Sequence, residues 1–317
     1  MLDPQLKKLL DGAHAAGAPD FADLPPPACR GFYRELLRAT DIAPVNVAVQ
    51  DRRIPGPGGS IALRIYTPPG DRERGLVVYY HGGGFVVGDL NAYDALCRTL
   101  ALQSDCVIVS VDYRLAPEHP FPAAVDDSYA ALRWVSANAA TLGADARRIA
   151  VAGDSAGGTL AAVMALLAKE LDGPALRYQA LVYPMTAPAP ASTASYERYG
   201  QGHVLSTRAA WYFMQHYFGE KGTAPDLRGA PLLATDLAGL PPALVMLGGH
   251  DILHDEGLAY AQRLMTAGVQ VSLVDYPALG HGFISMGGAI DAARLAIDQL
   301  AGALGRALTQ PAHSPSE

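Results

Sequence analysis

Eight apolar runs of strand length recur along this chain, each bounded by polar or turn-forming residues. They are VNVAV (45–49), IALRIY (61–66), GLVVYY (75–80), CVIVSV (106–111), RIAVAG (148–153), YQALVYP (178–184), PALVMLGG (242–249) and VQVSLVDYP (269–277). From GLVVYY onward most lack the in-out alternation of a half-exposed strand, which predicts strands covered on both faces. The stretches between them carry helical spacing: AYDALCRTLALQS, PAAVDDSYAALRWVSANAATL, GGTLAAVMALLAKEL, DEGLAYAQRLMTAG and DAARLAIDQLAGALGRAL. Strand and helix in alternation predict an α/β fold around a mainly parallel, doubly wound sheet.

Two segments break the rhythm. Residues 1–44 have a Leu-rich amphipathic start, a proline-rich bend in PDFADLPPPA and a second short helix. Residues 186–225 stand where a connection between core elements needs only a few residues. They hold APAPAS and an aromatic helix, TRAAWYFMQHYFGEKG, with Ser206 as its expected cap. Both segments read as one cap over the carboxyl edge of the sheet, with the core divided into residues 45–185 and 226–317. No internal repeat is present.

Composition narrows the class. A chain of 317 residues, 50% hydrophobic and 17% charged, buries a large core as one α/β domain or two smaller ones. The net charge of −7 comes without a long acidic or basic run, so neither nucleic acid nor an anionic membrane is an expected partner. Cys29, Cys97 and Cys106 are odd in number and lack metal-ligand spacing, which predicts reduced thiols in a cytoplasmic protein. The start MLDPQLKKLLDG carries Asp3 and Asp11 and does not read as a signal peptide. TLAAVMALLA, ending at Lys169-Glu170, is too short for a bilayer and is expected to be a buried helix.

The chemistry concentrates where apolar runs end. G-x-S-x-G occurs as Gly153-Asp154-Ser155-Ala156-Gly157, after RIAVA and before a helix, the context of a nucleophile elbow. Such a turn is sharp and strained and lifts Ser155 out of the sheet. A glycine-rich turn with an exposed serine is the plain alternative, and five residues alone do not separate the two. His81-Gly82-Gly83-Gly84 closes GLVVYY; successive glycines uncover backbone N–H groups, so those of Gly83, Gly84 and Ala156 are assigned to an oxyanion hole. Neither glycine cluster completes a nucleotide fingerprint: Val87 stands where a third glycine belongs, and Thr159 follows Gly158 where a phosphate loop needs lysine.

A serine nucleophile needs a base held by a carboxylate. Of nine histidines, His281 alone follows the last core run, between glycines, in a loop able to reach the elbow; His81 is expected to order the glycine loop, and His14, His216 and His313 lie in helical or tail contexts. Asp251 follows LVMLGGH on the neighbouring strand and is the expected acid. Asp255 is expected to cap the following helix, and Asp275 lies inside the last strand. His250-Asp251-Ile252-Leu253-His254 imitates a zinc-protease motif, but glycines precede it at a strand end and no third ligand stands out, so no metal is expected.

Taken together, HGGGF (81–85), DYRLAPEHPFPAAVDD (112–127), GDSAGG (153–158), VYP (182–184), DILHDEG (251–257) and HGF (281–283) resemble the hormone-sensitive lipase-like esterases, the bacterial family IV carboxylesterases, from about residue 45 to 305. The resemblance implies an α/β-hydrolase fold with an eight-stranded sheet and a helical cap. It also implies a triad of Ser155, Asp251 and His281, the oxyanion donors already named, and no cofactor. One position departs: Ile252 stands where the family has proline, which loosens the turn and leaves the carboxylate. The YRLAPE stretch, with Glu118, is expected to support the elbow. The expected activity is serine carboxylesterase, with a small-molecule ester as partner and a homodimer as the candidate assembly. Leu205 and the helix around Trp211, Phe213 and Tyr217 are expected over Ser155, with Leu205 and Phe213 as substrate contacts, and analogy with the family implies short to medium acyl chains. A non-catalytic small-molecule receptor on the same fold, or an amidase or peptidase, is the rival reading.

Overall fold

The computed structural model describes residues 1–190 and 192–309. Its strands are β1 (Ala48–Gly56), β2 (Gly59–Thr67), β3 (Arg74–Tyr80), β4 (Val107–Asp112), β5 (Ala144–Asp154), β6 (Leu176–Val182), β7 (Ala243–His250) and β8 (Val271–Gly280). They form one eight-stranded sheet in the order β1-β2-β4-β3-β5-β6-β7-β8. The β1–β2 and β2–β4 pairs are antiparallel and all others parallel. Strands β3 to β7 are the unalternated runs, and their apolar side chains are buried on both faces.

The apolar run VNVAV anticipates β1 too early. The strand starts at Ala48 and continues through polar residues to Pro55 and Gly56. As an edge strand it is defined by its ladder to β2 rather than by burial, and an edge tolerates proline. The other edge, β8, is mostly half-exposed until it reaches its buried carboxyl end.

The helices are α1 (Pro4–Ala15), α2 (Pro26–Thr40), α3 (Asp94–Ser104), α4 (Ala123–Ala137), α5 (Ala156–Glu170), α6 (Ala194–Tyr199), α7 (Thr207–Phe218), α8 (His254–Thr266) and α9 (Asp291–Thr309). Helices α3 and α9 cover one face, where Leu100, Ile297, Leu300 and Leu304 join Val77, Tyr79 and Ile108 in one core. Helices α4, α5 and α8 cover the other, with Leu132, Leu160 and Leu264 against Val78, Val109 and Val151. Helix α5 is apolar on every side because it is buried on every side until Lys169. Among the described residues no helix is long and apolar enough to cross a membrane.

The two segments that interrupt the alternation meet. Asp20 receives the hydroxyl of Ser206, Asp23 pairs with Arg208, and the Tyr212 hydroxyl donates to the Leu24 carbonyl at 2.9 Å. Phe21 lies against Phe213 with ring centroids 5.6 Å apart. Ser206 caps α7 as expected, accepting from the Ala209 N–H. Helix α2 is longer than the short helix anticipated: it begins inside the proline run, because proline at the first helical position lacks only an N–H that has no helical partner.

Leu300 shows how the core carries stability. Its side chain is wholly buried where α9 meets the sheet. We expect Leu300→Ala to cost about 2–5 kcal/mol in urea unfolding, the range for leucines emptied from well-packed cores.

Candidate active site

Strand β5 ends at Asp154 and α5 begins at Ala156, so a single residue, Ser155, turns the chain. It holds φ 53° and ψ −122°, a conformation that costs a side-chain-bearing residue about 1–3 kcal/mol. The turn closes because strand and helix touch: a Cβ on Gly157 would stand 1.9 Å from the Tyr80 carbonyl oxygen, and one on Gly153 would stand 2.3 Å from the Gly157 oxygen. Ser155 donates its N–H to the Val182 carbonyl at 2.9 Å, which pins the elbow to β6.

Strands β7 and β8 pair as far as His250 opposite Gly280, so the residues that follow, Asp251 and His281, emerge side by side. His281 Nε2 lies 2.9 Å from Ser155 Oγ, and its Nδ1 lies 2.7 Å from Asp251 Oδ2. A carboxylate only accepts, so Nδ1 carries the hydrogen and Nε2 is left to accept from the serine hydroxyl. The other carboxylate oxygen of Asp251 accepts the Leu253 N–H at 3.0 Å, and the His254 N–H closes onto the Asp251 carbonyl. Those bonds hold the turn that proline would have stiffened, while Ile252 is buried.

The glycine loop lies opposite. Gly83 and Gly84 have φ of 115° and 59°, open only to glycine at low cost. Among the described residues no acceptor takes the N–H of Gly83, Gly84 or Ala156. His81 sits behind the loop: its Nδ1 lies 2.7 Å from the Gly82 carbonyl, and Tyr113 stacks on its ring and donates to its carbonyl at 2.6 Å. The YRLAPE stretch braces this loop rather than the elbow. Arg30 of α2 pairs with Glu118 while donating to the Val86 and Ala116 carbonyls, so Glu118 is occupied in an ion pair.

One cavity is bordered by Ser155, His281, Gly83, Gly84 and Ala156. Leu205 and Phe213 line it. Trp211 and Tyr217 do not. Trp211 leaves α7 on the opposite side and is 37% exposed, and Tyr217 stacks on Phe85 with centroids 3.9 Å apart. Trp211, two positions from Phe213, points from another face of the helix, whereas Tyr217 shares the face of Phe213 but stands one turn farther along, over Phe85. Tyr33, Leu36 and Leu37 of α2 complete the wall, with Phe21 and Met214. Nothing in the local sequence distinguished their faces from those of any amphipathic helix.

One anticipated role comes out differently. Asp255 does not cap α8, which has no side-chain cap; it accepts the Ser195 N–H at 2.9 Å and so steadies α6. The backbone turn at Asp251 already serves the start of α8, whereas Thr193, at the N-cap of α6, makes no capping bond. His254 lies between Asp255 and Asp275, while His250 packs on Tyr199 and His203. The two histidines of the zinc-like motif therefore share no face. Cys29, Cys97 and Cys106 are free and buried. His14 and His216 lie on α1 and α7, and His313 lies outside the described residues.

Glu256 is the wall residue that the sequence reading passed over, hidden in the polar string HDEG. It is fully buried; one oxygen accepts from the Thr186 and Ala187 N–H groups at 2.7 and 3.0 Å, and Oε2 has no partner among the described residues. Burial pushes its carboxyl up to about 7, against the pull of those two N–H groups.

A family model described as alpha/beta hydrolase fold matches residues 77–285. The chain is similar to the esterase LipI of Mycobacterium tuberculosis, 44% identical over 266 residues that cover 82% of this chain and 83% of that protein. It is also similar to the carboxylesterase NlhH of the same organism, 40% identical over 317 residues that cover 97% and 96%. A solved hyperthermophilic esterase from Pyrobaculum calidifontis superposes with a TM-score of 0.90 at 40% identity, covering 96% of this chain and 98% of its own. A thermostable esterase from Pseudomonas putida does so with 0.94 at 34% identity, covering 98% of each.

Glu256 gives this region a measurable pH dependence. A carboxyl raised from 4.5 to about 7 keeps, in the folded protein, a proton that the unfolded chain releases. Its contribution to stability is whole below the unfolded value and is lost as pH rises through the folded one. We expect urea unfolding from about pH 4.5 to 7 to shift the stability difference steadily in favour of Glu256→Gln over the parent protein. Parallel curves would mean an ordinary carboxyl.

Proposed function

Because the chain belongs to the α/β-hydrolase fold family, in its hormone-sensitive lipase-like carboxylesterase branch, and is a carboxylic ester hydrolase, we propose that Ser155, His281 and Asp251 carry the hydrolysis. The observation that supports this reading above others is the unbroken chain from Ser155 Oγ through both nitrogens of His281 to the buried Asp251. A non-catalytic receptor gives such a relay nothing to do.

In the proposed reaction His281 Nε2 takes the Ser155 proton as Oγ attacks the ester carbonyl. The carbonyl oxygen becomes an oxyanion facing the N–H groups of Gly83, Gly84 and Ala156, the last at the start of α5, where the helix dipole also favours negative charge. Collapse expels the alcohol, which takes its proton from His281 and leaves Ser155 acylated. Water then attacks the acyl group with His281 as base, and the carboxylic acid leaves as Ser155 regains its proton. Proton transfer and oxyanion binding suffice for these steps, so we propose no cofactor or metal.

We read residues 1–44 and 186–225 as a cap and its cavity as the acyl site, fitted to short and medium chains. The buried free thiols support a reducing, cytoplasmic setting.

On this assignment Ser155→Ala remains folded and loses ester hydrolysis by roughly 10⁴ or more. Asp251→Asn loses roughly 10³ to 10⁴ in kcat, since the imidazole loses its orienting partner, whereas Asp255→Asn loses little beyond some stability. p-Nitrophenyl ester assays check all three, and a Ser155→Ala protein with a tenth of parental turnover would remove the nucleophile assignment.

The cavity wall generates a second expectation. Each buried methylene gains about 0.8 kcal/mol until the cavity is full, so kcat/KM should rise from acetate to a maximum near roughly four to eight acyl carbons and fall beyond. Phe213→Ala should move that maximum to longer chains. Because a Cβ on Gly84 would lie 2.4 Å from the Phe213 ring, the same change also loosens the glycine loop and lowers kcat at every length. Activity rising through palmitate would contradict the closed wall.

A further inference from the structure

Asp154, the residue before the proposed nucleophile, is almost wholly buried beside the glycine loop. Its Oδ1 accepts the Tyr79 hydroxyl at 2.8 Å and the Gly82 N–H at 3.0 Å, and its Oδ2 accepts the Tyr93 hydroxyl at 3.0 Å. The Gly82 N–H is shared with the Tyr93 oxygen at 3.1 Å. Beyond Tyr93, at 2.7 Å, stands the hydroxyl of Tyr33, a side chain of α2 that borders the same cavity as Ser155.

Hydrogen counting gives this chain one direction. Each tyrosine has a single hydroxyl hydrogen, and Asp154 when ionised can only accept; burial raises its carboxyl, and the Tyr79 and Tyr93 hydroxyls and the Gly82 N–H act against that rise. Tyr93 spends its hydrogen on Asp154, so Tyr33 must donate to Tyr93, and the order is Tyr33 to Tyr93 to Asp154. The contact is close enough to exclude a side chain: a Cβ on Gly82 would stand 2.4 Å from Asp154 Oδ2 and 2.9 Å from the Tyr93 hydroxyl.

We propose that Asp154 is a positioning residue for ester hydrolysis, pinning the glycine loop through the Gly82 N–H so that the next two N–H groups face the oxyanion, while Tyr93 and Tyr33 extend that hold to helix α2. The elbow thus carries the nucleophile on one residue and, on the residue before it, the side chain that registers the oxyanion site against that nucleophile. The chain also gives the cavity wall a direct mechanical link to the donors. This inference rests on the esterase reading.

The test separates positioning from mere support. Asp154→Asn keeps the shape but makes the acceptor neutral and forces the tyrosine chain to reverse. Tyr93→Phe removes the link altogether, and Tyr33→Phe removes only its far end. The assays are p-nitrophenyl butyrate hydrolysis and inhibition by an alkyl trifluoromethyl ketone, which Ser155 converts reversibly to a tetrahedral oxyanion with no leaving group. A complete oxyanion donor is worth about 10²–10³ in rate, so a loosened pair should cost about tenfold in kcat for Asp154→Asn and for Tyr93→Phe, and about twofold to threefold for Tyr33→Phe. KM should stay within about twofold, ketone affinity should fall by the same factor as kcat, and a protein carrying both Asp154→Asn and Tyr93→Phe should lose less than the product of the two single losses. If Asp154→Asn fails to fold, the two tyrosine variants decide. Unchanged kcat, or a fall in kcat without a matching fall in ketone affinity, in a protein whose parent hydrolyses the ester would overturn the inference alone. An inactive parent protein would overturn the proposed function and the inference with it.

Discussion

The contact between the end of β5 and the start of α5 governs this molecule. At Gly157 the space for a Cβ is already taken by the backbone oxygen of Tyr80. Only with strand and helix that close can one residue reverse the chain, and only then does Ser155 stand clear of the sheet in a conformation that its own side chain disfavours. The strain is held by the buried core on either side, above all by α5, which is apolar on every face. Parallel strand order does the rest: β7 and β8 end level with each other, and so deliver Asp251 and His281 to the same edge as the serine.

The second layer is more than a cover. Phe213 presses against Gly84, Arg30 reaches from α2 to the Val86 carbonyl behind the glycine loop, and Tyr33 reaches Tyr93. The groups that wall the cavity therefore also support the glycine loop proposed to meet the oxyanion. Glu256 does something similar on the other side, since its carboxyl holds the backbone at Thr186 and Ala187 while its own helix follows closely on Asp251.

What could be read from the chain was what local pattern determines. The interior strands were legible because a strand buried on both faces leaves an unbroken apolar run, and Ser155, Asp251 and His281 could be picked out as the proposed triad because each follows such a run or sits in a glycine-bounded turn. β1 was placed early because its residues are held by ladder bonds to β2, which leave no hydrophobic trace. Asp255 stands in the first turn of α8, as its place in the sequence suggests, but its partner is not the helix it begins: the Ser195 N–H belongs to a segment far away in sequence. Trp211 and Tyr217 were grouped with Phe213 by composition, whereas their facing depends on what α7 packs against. Tyr33, Leu36 and Leu37 carry the wall from the other end of the chain, and no pattern in α2 says which surface it will cover.

The crowding around the elbow divides the chain's positions into two kinds with different histories open to them. Gly153 and Gly157 are held by atoms of the backbone itself, so substitution there strikes at the fold. Ser155 is held by no such crowding: among the described residues its hydroxyl bonds to His281, and a smaller side chain would leave the turn, the cavity and the second layer where they are. Over generations, selection for a folded protein alone would preserve the glycines and leave the serine free to drift. A duplicated copy relieved of catalysis would then inherit a ready-made apolar chamber, so that within this architecture a small-molecule sensor lies a single codon change from a hydrolase.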